Sequence, residues 1–224
     1  MTDIQDNIDI VTEKIASAAE KSGRTLQDIT LVAVSKKVAP ARIQQAIDAG
    51  ILDFGENYYQ EAREKLPLFD SSLRWHYIGS LQTNKAKYIA GNFTLVHSID
   101  RYDLAVELSK RALQHHIRQP ILAEVLLDPS GSKSGMDMDK TLILCEDIAQ
   151  LEGVELLGLM GMPPQAENSE DIRPIFRQMR QLFDHLPMDN RRILSMGMSG
   201  DFEVAIEEGS TLVRIGTAIF GHRM

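Results

Sequence analysis

Apolar residues recur along this chain at two spacings, and the changes of spacing mark where one element gives way to the next. Ile4, Ile8, Val11 and Ile15 fall at helical intervals ahead of Gly23, which predicts an opening amphipathic helix. A short strand-like run, Leu31 to Ser35, follows, and then a helical pattern from Pro40 to Ala49 stopped by Gly50. From there short apolar runs alternate with helical segments. The predicted strands are 31–35, 51–55, 74–79, 94–98, 120–127, 155–160, 192–196 and 211–215. The helices between them start near Ala41, Asn57, Thr83, Arg101, Asp139, Ser169 and Gly200. Eight strands alternating with helices predict an α/β protein. The expected form is a single (β/α)8 TIM-type barrel with an additional N-terminal helix, rather than an open doubly wound sheet. The clearest helix is 169–186, where Ile172, Ile175, Phe176, Met179, Leu182, Phe183 and Leu186 line one face behind a Ser169 cap. Internal repeats and low-complexity segments are absent, so residues 1–224 are read as one domain.

Composition narrows the picture. A chain of 224 residues with 43% apolar content can fill one barrel-sized core. The formal charge of −8 argues against nucleic acid as a partner, since that affinity rests on Lys and Arg neutralising phosphates, and any phosphate affinity has to be local. The single cysteine, Cys145, sits in an apolar-periodic stretch and is read as a buried thiol in a reducing compartment. No apolar run approaches the ~20 residues that span a bilayer, and the segment Met1 to Asp9 is acidic rather than basic. The expectation is a cytoplasmic protein with no membrane partner. Met160, Met162, Met196 and Met198 read as pliable core filler.

In a barrel of this kind chemistry collects at the C-terminal ends of the strands, and phosphate is commonly held after strands seven and eight. Polar and glycine residues concentrate there: Ser35-Lys36-Lys37, Gly55-Glu56-Asn57, Gly197-Met198-Ser199-Gly200-Asp201 and Arg214-Ile215-Gly216-Thr217. Ser199 and Gly200 lead straight into a short helix, Asp201 to Glu208, whose first amides could cradle a phosphate. Gly216 and Thr217 add an amide and a hydroxyl from the neighbouring strand. Equally, these glycines could serve tight turns and Ser199 could simply cap the helix. Lys36 continues the face of Val32 and Val34 at period two, while Lys37 shares its parity with Ala33 and Ser35. A lysine leaving a buried strand can form an imine if its pocket frees the amine, or it can be a solvated flank. Arg214 shares a face with Leu212, and if that face points inward its charge needs a phosphate, a ring nitrogen or a carboxylate such as Glu56.

The segments LVAVSK (31–36), FGENYYQEA (54–62), WHYIGSLQTNK (75–85), GSKSG (131–135), GLMGMPP (158–164), LSMGMSGDFEVAI (194–206) and GSTLVRIGTAIFG (209–221) resemble, in this order, those of the YggS-like PLP-homeostasis proteins. PLP is pyridoxal 5'-phosphate. The resemblance implies an alanine-racemase-like barrel without the racemase's second, β-rich domain. It implies Lys36 as the Schiff-base lysine, Asn57 beside the cofactor, Ser199, Gly200, Gly216 and Thr217 as the phosphate shell, and Arg214 facing the pyridine nitrogen. His76, Asn84, Lys85, Lys133 and Met160 lie in family motifs without an assigned role. Lys37 departs from the pattern, standing where many members carry a small polar residue.

The function implied is reversible PLP binding in the service of intracellular PLP homeostasis and amino-acid and keto-acid balance. PLP-dependent apo-enzymes are the expected recipients, and a monomer the expected state. An arginine at the ring nitrogen disfavours its protonation, which works against the electron-sink chemistry of transaminases. Racemisation needs acid-base groups on both faces of the ring, and Lys36 supplies one. No catalytic residue is therefore assigned and no robust turnover is expected. The alternatives are a low-activity PLP-dependent amino-acid racemase and a PLP-independent phosphosugar lyase working through a lysine imine.

Overall fold

The computed structural model describes residues 3–127, 135–164 and 166–221. Eight parallel strands close into a barrel in sequence order. They are β1 (Thr30–Val34), β2 (Asp53–Glu56), β3 (Arg74–Tyr77), β4 (Leu95–Ile99), β5 (Gln119–Val125), β6 (Val154–Gly161), β7 (Ile193–Ser195) and β8 (Leu212–Ile215). β1 closes the ring on β8, with Val32 opposite Arg214 and Ala33 opposite Ile215. Around it run α1 (Ile4–Lys21), α2 (Pro40–Asp48), α3 (Tyr59–Lys65), α4 (Ala86–Ile89), α5 (Tyr102–Gln114), α6 (Met138–Ala149), α7 (Arg173–Asp184), α8 (Phe202–Glu207) and α9 (Thr217–Phe220).

Strand alternation divides the core in two. Val32, Leu95, Leu122, Met160 and Leu212 form a small apolar cluster inside the barrel. The opposite parity, including Ala33, Phe54, Trp75, Tyr77, Val96, Ile121, Leu159, Leu194 and Val213, faces the helices in the larger cluster. Helix α1 buries Ile4, Ile8, Val11 and Ile15 as their spacing predicts, and the Asp3 carboxylate caps it by accepting from the Gln5 amide. It packs on α8 and α9.

The segment predicted as one helix over 169–186 is two pieces. A 3-10 turn spans Ser169–Ile172, and α7 runs from Arg173 to Asp184. Pro174 has no amide hydrogen to donate back along an α-helix, so the first turn winds more tightly. The cap is also one residue earlier than expected: the Asn168 side chain, not that of Ser169, accepts from the Glu170 amide. The apolar stripe itself survives, with Ile172, Phe176, Met179 and Phe183 buried. Near residue 83 the chain likewise makes a 3-10 turn, Thr83–Lys85, before the single turn of α4.

Candidate functional site

The C-terminal rim of the barrel encloses a cavity of about 410 Å³. Lys36, Asn57, Ser199, Gly200, Arg214, Gly216 and Thr217 all line it, so residues spread over most of the sequence meet at one place. The strands that carry them end here: β1 before Lys36, β2 before Asn57, β7 before Ser199, and β8 through Arg214. Met162, Ser169 and Ile172, from the connection after β6, wall the cavity, and Met198 and Asp201 join them from the β7–α8 turn. Periodicity marked Ile172 only as part of a core-facing stripe, and Met162, Met198 and Asp201 lie in loops that carry no face signal.

Lys36 is half-buried and reaches the cavity as the parity of Val32 and Val34 predicts. Lys37 is exposed and takes a left-handed backbone, φ +59°. That reversal is held by side chains the sequence reading missed. Lys65, on α3, is buried and donates to the Ser35 carbonyl at 2.6 Å, to Glu56 at 2.8 Å and to Glu61 at 2.6 Å. The Ser35 hydroxyl donates to Glu56 at 2.7 Å, and the Lys37 amide donates to the Glu61 carboxylate. Burial pushes the Glu56 carboxyl up, opposed by the hydrogen bonds from Lys65 and Ser35. Glu61 and Lys65 stand at i, i+4 on α3, and the fold buries Lys65 while leaving Glu61 partly exposed.

Glu56 is therefore not the partner of Arg214. The Arg214 guanidinium, buried at 4% exposure, donates from Nη1 to the Ser195 carbonyl at 2.9 Å and to its hydroxyl, and from Nη2 to the Gly161 carbonyl at 3.1 Å. Burial lowers its pKa to about 10, with Glu124 and Asp201 pulling the other way, so it remains a cation at neutral pH. These contacts leave Nε–H and one Nη2–H without an acceptor among the described residues, in a side chain that lines the cavity.

On the β7–β8 side the backbone supplies the polar groups. The Ser199 hydroxyl accepts from the Gly216 and Ala218 amides, each at 3.3 Å, tying the two loops together at the start of α9. Gly197 turns the chain with φ +96°, and a Cβ there would lie 2.7 Å from that of Ala205. Across the cavity a Cβ on Gly79 would lie 2.0 Å from the Asn57 carbonyl oxygen, so glycine lets the β3 end pack under Asn57. The Asn57 Oδ1 atom is buried and has no hydrogen-bond partner among the described residues. Such an atom costs free energy until something donates to it.

His76 and Met160 lie inside the barrel rather than in the cavity wall. Asn84 and Lys85 sit in the 3-10 turn before α4, where the Lys85 ammonium lies 5.7 Å from the Tyr88 ring centroid. Lys133 lies outside the described residues. Cys145 is buried, and burial pushes its thiol up to about 12, away from nucleophilic use.

Residues 8–224 match the family described as alanine racemase, N-terminal domain. A pyridoxal phosphate homeostasis protein of Aquifex aeolicus is 46% identical over 217 residues, covering 95% of this chain and 95% of that one. The protein of the same name from Escherichia coli K12 is 41% identical over 231 residues, covering 100% of this chain and 98% of its own. Among solved structures, PipY of Synechococcus elongatus with PLP bound superposes with a TM-score of 0.81 at 33% identity, covering 94% of this chain and 100% of PipY. An alanine racemase of Clostridium difficile superposes with a TM-score of 0.72 at 14% identity over 57% of its length, a likeness of fold alone.

Proposed function

Because the chain belongs to the alanine racemase N-terminal domain family and, within it, to the pyridoxal phosphate homeostasis proteins, we propose that it holds PLP reversibly in the rim cavity and buffers the intracellular supply of that cofactor. The observation that carries this reading is the convergence of Lys36, Asn57, Arg214 and the two glycine-bearing loops on one cavity. The residues suit the cofactor. Lys36 would bond its aldehyde, Ser199, Gly200, Gly216 and Thr217 would hold its phosphate, and Arg214 would face its ring nitrogen. The orphaned Asn57 Oδ1 marks a place prepared for a ligand donor. When bound, PLP supplies an aldehyde that condenses with amines and a ring that draws electrons from what is attached there.

The chain's own groups favour holding over turnover. Arg214 stays cationic and keeps a proton off the group it faces, which weakens electron withdrawal. The amides of the β7–β8 loops bind a dianion without adding a net charge that would demand its own partner. Met162 and Ile172 add apolar wall to the cavity. In this reading the partners are PLP itself and PLP-dependent apo-enzymes that receive it. The working state is a monomer in the cytoplasm. Among the described residues no helix is long and apolar enough to cross a membrane.

The test is borohydride reduction of PLP-loaded protein followed by peptide mapping, together with incubation with L- and D-amino acids in heavy water. The expected label is on Lys36, with no turnover in the ordinary enzyme range of roughly 1 to 1000 per second. A label chiefly on Lys37 would overturn the site. Lys36-dependent racemisation in the enzyme range would overturn the carrier reading in favour of a racemase.

A further inference from the structure

Behind the cavity, five inward-facing residues on β2, β3, β4, β7 and β8 touch one another in a line. Arg214 Nη1 meets the Ser195 hydroxyl. Ser195 Oγ lies 3.1 Å from His97 Nδ1, His97 Nε2 lies 2.9 Å from His76 Nδ1, and His76 Nε2 lies 3.0 Å from Asp53 Oδ1. Asp53 then receives Arg74 Nε at 2.7 Å, and the Arg74 side chain is 48% exposed at the start of β3. A polar line thus crosses the barrel from the cavity to the opposite rim, through an interior that also holds the apolar Val32, Leu95, Leu122, Met160 and Leu212 and, on β5, the buried Glu124, whose charge also acts on Arg214.

The ends of the line, together with a single proton on His76, set which way every bond points. Asp53, held below the usual carboxylate range, is an acceptor only: burial alone would raise it, but the hydrogen bonds from His76 and Arg74 outweigh that. His76 must therefore carry a proton on Nε2. With one proton on the ring its Nδ1 accepts, so His97 must donate from Nε2. Full burial, with His76 and Arg214 nearby, drives His97 well below the ordinary histidine range and keeps it neutral, so its Nδ1 accepts as well. The Ser195 hydroxyl then donates to His97, which leaves its oxygen to accept from the guanidinium. Each bond runs the same way, from the cation at the cavity to the anion at the far rim.

We propose that His97 and His76 are positioning residues, forming a one-directional hydrogen-bond chain from Arg214 to Asp53 that fixes the orientation and charge of the guanidinium presented to the cofactor ring. The proposal rests on the PLP reading of the cavity for its consequence, but not for the chain itself. A guanidinium anchored only by carbonyl oxygens could tilt about them. One whose Nη1 also engages a polarised hydroxyl is locked in plane, and its remaining donors stay aimed into the cavity. Chains of this kind strengthen one another's bonds in a low-dielectric interior.

The experiment has two parts. Long-range ¹H–¹⁵N spectra of histidine-labelled protein without PLP, at pH 8, should show both His76 and His97 protonated on Nε2 and bare on Nδ1. A proton on His97 Nδ1 would overturn the proposed direction. It would mean that His76 carries two protons and the chain points the other way. Next, Ser195→Ala and Asp53→Asn are loaded with PLP. Ser195→Ala should shift the absorption maximum of the bound cofactor and weaken retention roughly tenfold, the order expected for one hydrogen bond to a charged group. Asp53→Asn, remote from the cavity, should shift the maximum in the same sense by less. An unchanged spectrum in Ser195→Ala with PLP bound would overturn the positioning role. Failure of the unaltered protein to bind PLP would overturn the reading of the cavity and leave the tautomer result standing.

Discussion

The two sides of the cavity present polar groups to the same space by opposite means. On the β1–β2 side the Lys36 turn is fixed by buried charge, with Lys65 between Glu56, Glu61 and the Ser35 carbonyl. On the β7–β8 side it is done by backbone, with glycines, short helix starts and one serine hydroxyl bridging two loops. A buried charge cluster is costly to assemble and collapses if one member is lost. A backbone cradle needs no desolvated charge of its own and fails only where a side chain physically enters it. One side should therefore be fragile to charge deletion and pH, the other to added volume.

The largest expected effect sharpens what the charged side exists to hold. Lys36→Ala should abolish the borohydride-trapped label altogether, while Lys37→Ala should leave it in place, as peptide mass mapping will read. Lys65→Met should come next, since it leaves Glu56 and Glu61 facing each other without their cation. The expected loss is about 3–5 kcal/mol of folding stability, read from urea midpoints. A loss below 1 kcal/mol would mean the cluster is not what sets the turn.

On the backbone side Gly197→Ala introduces both a strained φ and the close Ala205 contact. It should cost about 1–3 kcal/mol of stability, with no change in its pH dependence. Ser199→Ala with Thr217→Ala should weaken PLP by roughly 1.5–3 kcal/mol for each hydrogen bond lost, and pyridoxal, which lacks the phosphate, much less. Equal weakening of the two ligands, measured by equilibrium titration, would move the phosphate away from these loops.

The smallest effect lies outside both sides, at the far end of the line behind the cavity. Asp53 has a folded pKa below its unfolded one, so its contribution is present above about pH 4 and lost as pH falls through the folded value. One such group changes stability by at most about 1.4 kcal/mol per pH unit. Urea midpoints between pH 6 and pH 3 should therefore fall more steeply in the unaltered protein than in Asp53→Asn. Equal slopes would show that the unfolded state holds Asp53 in a similar way.

Much of this was legible in the sequence for a local reason. The parity of Val32, Val34 and Lys36, and of Leu212 and Arg214, assigns each side chain to a face from its neighbours two residues away, and the closed barrel keeps those assignments. The glycine-rich strand ends likewise marked the rim. The 169–186 helix was misjudged at its start, although Pro174 carried the warning in the sequence itself. What no local pattern carried was pairing. Glu56 was a plausible partner for Arg214 by charge alone, yet it is taken by Lys65 on the next helix.

By itself, then, the sequence determined the alternation that builds eight strands and the positions whose side chains must turn inward, because both depend on covalent geometry over a few residues. Only the tertiary structure decided which inward groups meet. His76 and His97 are 21 residues apart, His97 and Ser195 are 98 apart, and the line from Arg214 to Asp53 exists only once β8 has closed on β1. Hydrogen bonds and ion pairs act over about 3 Å, so their partners are chosen by the ring's closure and register, which no short window of sequence contains.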